Sequence, residues 1–372
     1  MEARFLIVVG TRPEVIKMAP VYLELSARGA TVALCNTEQQ RELTAQSLEF
    51  FGITPDFKLD IMSQNQSLDE LLSRVIQKVS GVIHSWKPTH ILVQGDTTTV
   101  LGSALAGFHN KIKLVHVEAG LRSFNLQSPF PEEMNRVLTS KLADIHLCPT
   151  PMAMENLQKE GVSGECYMVG NTVIDALLWT SDKIKQSKIN VISSTLLDMQ
   201  KNGVLETSIL VTSHRRENFG KPLDDILSAV QRFCASHPNV HVLFPVHPNP
   251  NVKNTVERIL GQLKNVLLLP PLDYPDLVFL MEQCYAVVTD SGGIQEEAPT
   301  FKKPVLVLRE NTERPEGVEQ GNALLVGSNT ELIIEQLHLL FNSPDHYQSF
   351  SKKPNPYGNG TSAQHIADIL LQ

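Results

Sequence analysis

The sequence predicts an α/β protein made of two doubly wound, Rossmann-like domains. Short β-branched or Leu-rich runs alternate with helical segments along the whole chain, the pattern of parallel sheets covered by helices. At 372 residues the chain is long for one domain, and two of ordinary size, each with its own core, are expected. The apolar runs also fall in near-equal numbers in the two halves.

In the first half the predicted strands are Arg4–Val9, Thr31–Cys35, His90–Gln94, Lys113–His116, Ile145–Cys148 and Tyr167–Val169. The first is the apolar run Phe5–Val9, stopped by Gly10-Thr11-Arg12-Pro13. A helix follows it, because Thr11 and Glu14 have capping-box spacing and Pro13 suits a first helical turn. Ser181–Gly203 is polar with few strong apolar positions and reads as a helix plus connector, so the domain boundary is expected around residues 175–200. In the second half the predicted strands are Ser208–Val211, His241–Phe244, Val266–Leu269, Ala286–Thr289, Val305–Leu308 and Leu324–Val326. The breaker-rich loop Lys352–Gly360 then leads to a last helix, Ser362–Leu371. The expected domains are thus 1–180 and 200–355, with segment 356–372 packing back on the first.

Composition narrows the function. With 42% hydrophobic and 19% charged residues the chain is of globular type, and a net charge of −8 argues against nucleic acid or an anionic membrane as main partner. Phe5–Val9 is too short for a signal-peptide core, and no run approaches the roughly 18 apolar residues of a membrane helix, so a cytoplasmic protein is expected. The five cysteines, Cys35, Cys148, Cys166, Cys234 and Cys284, are scattered without a Cys-x-x-Cys pair and read as buried thiols.

In open α/β sheets ligands bind beyond the carboxyl ends of the strands, and here those positions are polar. Ala286–Thr289 runs into Asp290-Ser291-Gly292-Gly293-Ile294-Gln295-Glu296-Glu297. Two glycines permit close backbone approach, a helix N-terminus offers N–H groups, and Ser291 adds a hydroxyl, which together suit a phosphate. Glu297, further along, can accept hydrogen bonds from a ribose diol. The bland alternative is an ordinary Gly-rich turn. Gly10-Thr11-Arg12-Pro13-Glu14-Val15-Ile16-Lys17 gives a second helix N-terminus, where Arg12 and Lys17 oppose the helix dipole and a ligand phosphate would explain them.

Asp96 follows one strand in Gly95-Asp96-Thr97-Thr98-Thr99, and Glu118 follows the next in Val117-Glu118-Ala119-Gly120-Leu121-Arg122. Pro131-Glu132-Glu133-Met134-Asn135-Arg136 opens a helix, where Glu133 suits either a capping or a functional role. In the second half, Ser213-His214-Arg215-Arg216-Glu217-Asn218 and Arg309-Glu310-Asn311-Thr312-Glu313-Arg314-Pro315-Glu316 place charge at strand ends, with a solvated patch as the alternative.

Other motifs fail their context. Gly358-Asn359-Gly360-Thr361-Ser362-Ala363 fits a dinucleotide pattern but has no strand before it, and no Tyr-x-x-x-Lys exists. His116-Val117-Glu118 lacks the Pro-Cys-x-x-Cys that a zinc deaminase needs.

Taken together, Gly10–Glu14, Gly95–Thr98, His116–Arg122, Pro131–Arg136, His214–Asn218, Asp290–Glu297 and Thr312–Glu316 resemble the ordered motif series of the non-hydrolysing UDP-N-acetylglucosamine 2-epimerases over nearly the full chain. The resemblance implies the glycosyltransferase-B architecture with an interdomain cleft, interconversion of UDP-GlcNAc and UDP-ManNAc through 2-acetamidoglucal, no redox cofactor or metal, and a homodimer. It implies Asp96, Glu118 and Glu132 as acid/base groups and places Arg12, Lys17 and His214 near the diphosphate, with His214 in the catalytic set. Ser291, Gly292 and Gly293 are implied at the nucleotide, Glu297 at the ribose and Arg314 at the substrate. Leu272 and Leu277 fall at uracil-pocket positions where the family commonly has Gln and Phe. Gln39, Arg215 and His247 match a possible activator site for a second UDP-GlcNAc, although Gln40 departs from the usual Gln-His-Arg stretch and Asn65 stands where a basic residue can occur. A hydrolysing relative, an epimerase of a modified UDP-sugar and a glycosyltransferase of the same architecture are the competing functions.

Overall fold

The computed structural model describes residues 3–63 and 66–372, so Asn65 lies outside the described residues. The chain forms two compact units, one of Met1–Ala176 with Tyr357–Gln372 and the other of Leu177–Pro356. The change of unit falls inside the helix Thr172–Lys185.

The first unit holds a parallel sheet of β1 (Arg4–Val9), β2 (Thr31–Asn36), β3 (Phe57–Lys58), β4 (His90–Gln94), β5 (Lys113–Val117), β6 (Ile145–Cys148) and β7 (Glu165–Met168), in the order β3-β2-β1-β4-β5-β6-β7. The second holds β8 (Ser208–Thr212), β9 (His241–Pro245), β10 (Val266–Leu269), β11 (Ala286–Thr289), β12 (Val305–Val307) and β13 (Ala323–Leu325), in the order β10-β9-β8-β11-β12-β13. Both are doubly wound: the strand order reverses beside β1 and again beside β8, and such a switch point opens a crevice at the strand ends.

Burial explains the continuous apolar runs. In β8, Ile209 and Val211 join one apolar cluster while Leu210 joins another, and in β11 Ala286 and Val288 divide from Val287 in the same way. Successive side chains point to opposite faces, so a sheet covered on both sides needs apolar residues at every position.

The departures from expectation are local. β3 escapes the sequence because two residues carry no periodicity. β7 starts at Glu165 rather than Tyr167, since this edge strand exposes Glu165 and Met168 and lacks a dense apolar run. β12 ends at Val307 and β13 begins at Ala323, each displaced by one residue.

The last helix, Ser362–Leu370, packs against the helix Arg12–Ala27 within the first unit. Asp175 Oδ1 accepts the N–H of Ala363 at 2.8 Å and so caps its first turn from another helix.

Candidate active site

In the first unit the carboxylates gather at the ends of the neighbouring strands β4 and β5. Gly95 turns the chain after β4 with φ of +80°, a conformation that favours glycine, and Asp96 follows. Arg136, in the helix Glu132–Leu142, donates to Asp96 Oδ2 from Nε at 2.8 Å and from Nη2 at 2.7 Å. Asn135 Nδ2 donates to the Asp96 carbonyl at 2.8 Å. The helix that begins at Glu132 therefore also holds Asp96, and one Glu132 oxygen, Oε2, is buried without a hydrogen-bond partner among the described residues.

Glu118 sits directly beyond β5 with φ of +61°, a conformation that costs energy for a residue with a Cβ and that recurs at functional sites. Its Oε1 lies 2.6 Å from Lys17 Nζ, and its Oε2 accepts from Gln94 Nε2. Lys17, expected beside a phosphate, is thus engaged with a carboxylate. Arg12 has its backbone N–H on Gln40 Oε1 at 3.0 Å, and its guanidinium makes no hydrogen bond or ion pair among the described residues.

The N-terminus of the helix Arg12–Ala27 corrects one expectation. Glu14 Oε2 accepts the N–H groups of Gly10 at 2.5 Å and Thr11 at 2.8 Å, so these donors are satisfied internally rather than presented to an anion. Its Oε1 accepts from Thr97 Oγ1 at 2.5 Å, tying this helix to the loop that carries Asp96. Burial pushes the Glu14 carboxyl up to about 7, although hydrogen bonds from Thr97, Gly10 and Thr11 oppose the rise. Glu133 is also structural: it accepts from Ser123 N at 3.0 Å, Phe124 N at 2.9 Å and Arg136 Nη1 at 2.8 Å, joining the preceding loop to its own helix.

In the second unit the Ser291-Gly292-Gly293 turn opens the short helix Gly292–Glu297 at the end of β11. Ser291 does not cap that helix with its side chain. A Cβ built on Gly292 would fall 2.7 Å from Arg314 Cζ, which is why glycine stands there and how Arg314 reaches the turn. Arg314 Nε donates to Glu296 at 2.9 Å and Nη1 to Glu313 at 2.9 Å. Arg314 and Arg309 hold Glu313 down at about 2 against the cost of burying it. Glu297 is buried, with Tyr274 Oη 3.5 Å from its Oε1. Leu272 and Leu277 flank Tyr274 in sequence and pack against the apolar core of this unit.

His214, at the end of β8, stacks on His247 with ring centroids 5.9 Å apart, and its Nδ1 lies 3.2 Å from Asp290 Oδ1. Arg215 Nε is buried without a hydrogen-bond partner among the described residues. Gln39, in the first unit, accepts from Thr99 Oγ1 at 2.8 Å. Sequence reasoning assigned no role to Arg136, Gln94, Tyr274 or Asp290. Only Asp290 carried a usable signal, as a carboxylate directly beyond a strand end and before the Ser-Gly-Gly turn.

A family model described as UDP-N-acetylglucosamine 2-epimerase matches residues 23–371. The UDP-N-acetylglucosamine 2-epimerase of Campylobacter jejuni is 44% identical over 377 residues, covering 100% of this chain and 98% of that protein. The crystal structure of UDP-GlcNAc 2-epimerase from Neisseria meningitidis bound to UDP-GlcNAc is 42% identical, with a TM-score of 0.89 over 99% of each chain. A glycotransferase of kitacinnamycin shares the fold alone, at a TM-score of 0.67 and 12% identity over 100% of this chain and 98% of its own. With a family match across nearly its whole length and relatives above two-fifths identity, this chain belongs to the UDP-N-acetylglucosamine 2-epimerase family, whose members are isomerases.

Proposed function

We propose that this chain interconverts UDP-GlcNAc and UDP-ManNAc by eliminating UDP and adding it back at C1, with the C2 proton returned on the other face of the sugar. The observation that carries the reading is the set Asp96, Glu118 and Glu132 at adjoining strand and helix ends, with Arg136 and Lys17 paired to the first two. The C2 proton of the sugar is not beside a carbonyl, so simple abstraction is too difficult. Elimination avoids this. A carboxylate takes the C2 proton, the C–H electron pair forms the C1=C2 bond, and the C1–O pair leaves on the UDP oxygen. Protonation of 2-acetamidoglucal at C2 from the opposite side, with return of UDP to C1, completes the exchange. Positive groups and backbone donors stabilise the departing diphosphate.

In the second unit, Arg314 and Glu297 beside the Ser291-Gly292-Gly293 turn support a UDP-binding role, with Tyr274 and the Leu272 and Leu277 positions near the base. Incubation with UDP-GlcNAc in heavy water tests the proposed reaction: UDP-ManNAc with one deuterium at C2 is the expected product by NMR and mass. Free ManNAc plus UDP would indicate hydrolysis instead, and no exchange without an acceptor would indicate a transferase.

We further propose a homodimer, checked by sedimentation, and a second UDP-GlcNAc at Gln39, Arg215 and His247. The unpartnered Arg215 Nε supports the second site. A sigmoidal dependence of rate on UDP-GlcNAc is expected, and a hyperbolic one would dismiss it. A cytoplasmic location is consistent with both nucleotide-sugar substrates. No helix among the described residues is long and apolar enough to cross a membrane.

A further inference from the structure

We propose that Asp290 is a positioning residue for His214: it fixes the proton of the free ring on Nδ1, so that in the UDP complex the ring carries a second proton on Nε2 and donates it to the diphosphate. The inference rests on the reading above in one respect, that His214 serves the diphosphate.

The geometry of the Asp290 carboxylate carries it. Asp290 is fully buried, directly beyond β11, and its backbone N–H reaches the carbonyl of Thr212 on the adjacent strand β8 at 3.3 Å. Oδ2 is anchored by four donors: Ser213 Oγ at 2.9 Å, His214 N at 2.9 Å, Arg215 N at 2.9 Å and Asn218 Nδ2 at 3.0 Å. Asn218 is itself tied to the Leu308 carbonyl at 3.1 Å, so the anchor spans three strand ends. With Oδ2 saturated, the orientation of the carboxylate is set and Oδ1 is aimed at His214 Nδ1, 3.2 Å away.

A carboxylate oxygen can only accept here, so Nδ1 must bear the proton. Stacking on His247, with the two ring planes 20° apart, restrains the remaining rotation about the ring. Nε2, separated from Nδ1 by Cε1, is the ring nitrogen not engaged by Asp290, and with the side chain 42% exposed it is the one left for a ligand. When an anion binds there, the ring takes a second proton from solvent at Nε2. The resulting imidazolium lies between two anions, the buried carboxylate and the phosphate oxygen, each accepting one N–H. As the C1–O bond breaks, charge grows on that oxygen and the Nε2–H bond strengthens, which favours the transition state over the ground state.

The test is a long-range ¹⁵N–¹H correlation spectrum of protein labelled in its histidine rings, with His214→Gln identifying the His214 signals. The expected pattern above the ring's titration is the Nδ1–H tautomer without ligand and both nitrogens protonated with UDP. An Nε2–H tautomer in the free protein, or no added proton with UDP, would overturn the proposal. Asp290→Asn should abolish the UDP-induced protonation and lower kcat about 100-fold, within the range of lost acid/base assistance, with KM changed less than about threefold. Ser213→Ala removes one anchor but keeps the carboxylate, and should leave both readouts within about threefold of wild type. An equal loss in both variants would mean that Asp290 merely holds the loop, and the positioning role would fall. If Asp290→Asn does not fold, the two wild-type spectra decide alone. The spectra do not depend on turnover: a chain that shows the ring behaviour but no epimerisation keeps this inference and loses the proposed function, and the reverse result loses only Asp290.

Discussion

At the scale of single residues, the site in the first unit depends on how each carboxylate is held. Asp96 meets Arg136 through one oxygen only, Oδ2, which leaves Oδ1 for a proton. Arg136 is buried and bridges to Glu133, so its loss strands two carboxylates, one of them Glu133 at 1% exposure. Arg136→Met should therefore destabilise the protein by about 3–5 kcal/mol, the range for breaking a buried pair on one side, as read by urea unfolding. A cost below about 1 kcal/mol would mean that Glu133 is satisfied by Ser123 and Phe124 alone. Arg136 stands 40 residues from Asp96, and no spacing rule links them. By contrast, the placement of the candidates Asp96, Glu118 and Glu132 was legible, because each lies within a residue or two of a predicted strand end or opens a helix.

At the scale of elements, the helix Arg12–Ala27 shows both what a motif can tell and what it hides. The capping-box spacing of Thr11 and Glu14 was readable, and the box forms. The same box takes up the Gly10 and Thr11 amides, so an anion at this end would be met by the Arg12 side chain rather than by those backbone donors. The capping box and the anion site compete for the same donors, and burial of Glu14 decided for the box. That burial has a consequence for pH. A carboxyl at about 7 in the folded chain, against 4.5 ordinarily, binds its proton more tightly folded than unfolded. Its contribution is therefore fully present below pH 4.5 and is lost as pH rises through 7, by about 3 kcal/mol at 1.36 kcal/mol per unit. Glu14→Gln should flatten that segment of the stability profile, measured by denaturant unfolding between pH 5 and 8. An unchanged slope would show that the carboxyl is already ionised at pH 5 in the fold.

At the scale of the whole molecule, the two units carry different chemical types. The first supplies carboxylates at its strand ends, and the second supplies the Ser-Gly-Gly turn, Arg314, Glu297 and the Asp290–His214 pair. Nucleotide binding and proton transfer should therefore separate under mutation. UDP at about 100 times its Kd should raise unfolding stability by about 2.7 kcal/mol. Glu297→Gln should weaken UDP binding about tenfold, the loss of one charged hydrogen bond. Asp96→Asn should leave UDP binding within about threefold while turnover falls far more, and calorimetry beside a turnover assay reads both. Equal losses in the two measurements for Asp96→Asn would remove it from the chemistry.

The sequence alone determined the α/β class, the two-unit division and the strand ends at which the candidate site residues lie. Alternating apolar runs and breakers are local signals, and in a doubly wound sheet the residue after a strand is bound to face the ligand side. Only the tertiary structure decided which donors are already taken. Glu14 reaches Thr97 across 83 positions, Asp290 reaches His214 across 76, and Arg136 reaches Asp96 across 40. Hydrogen-bond choice depends on distances of a few ångströms between side chains, and those are set by packing rather than by order along the chain.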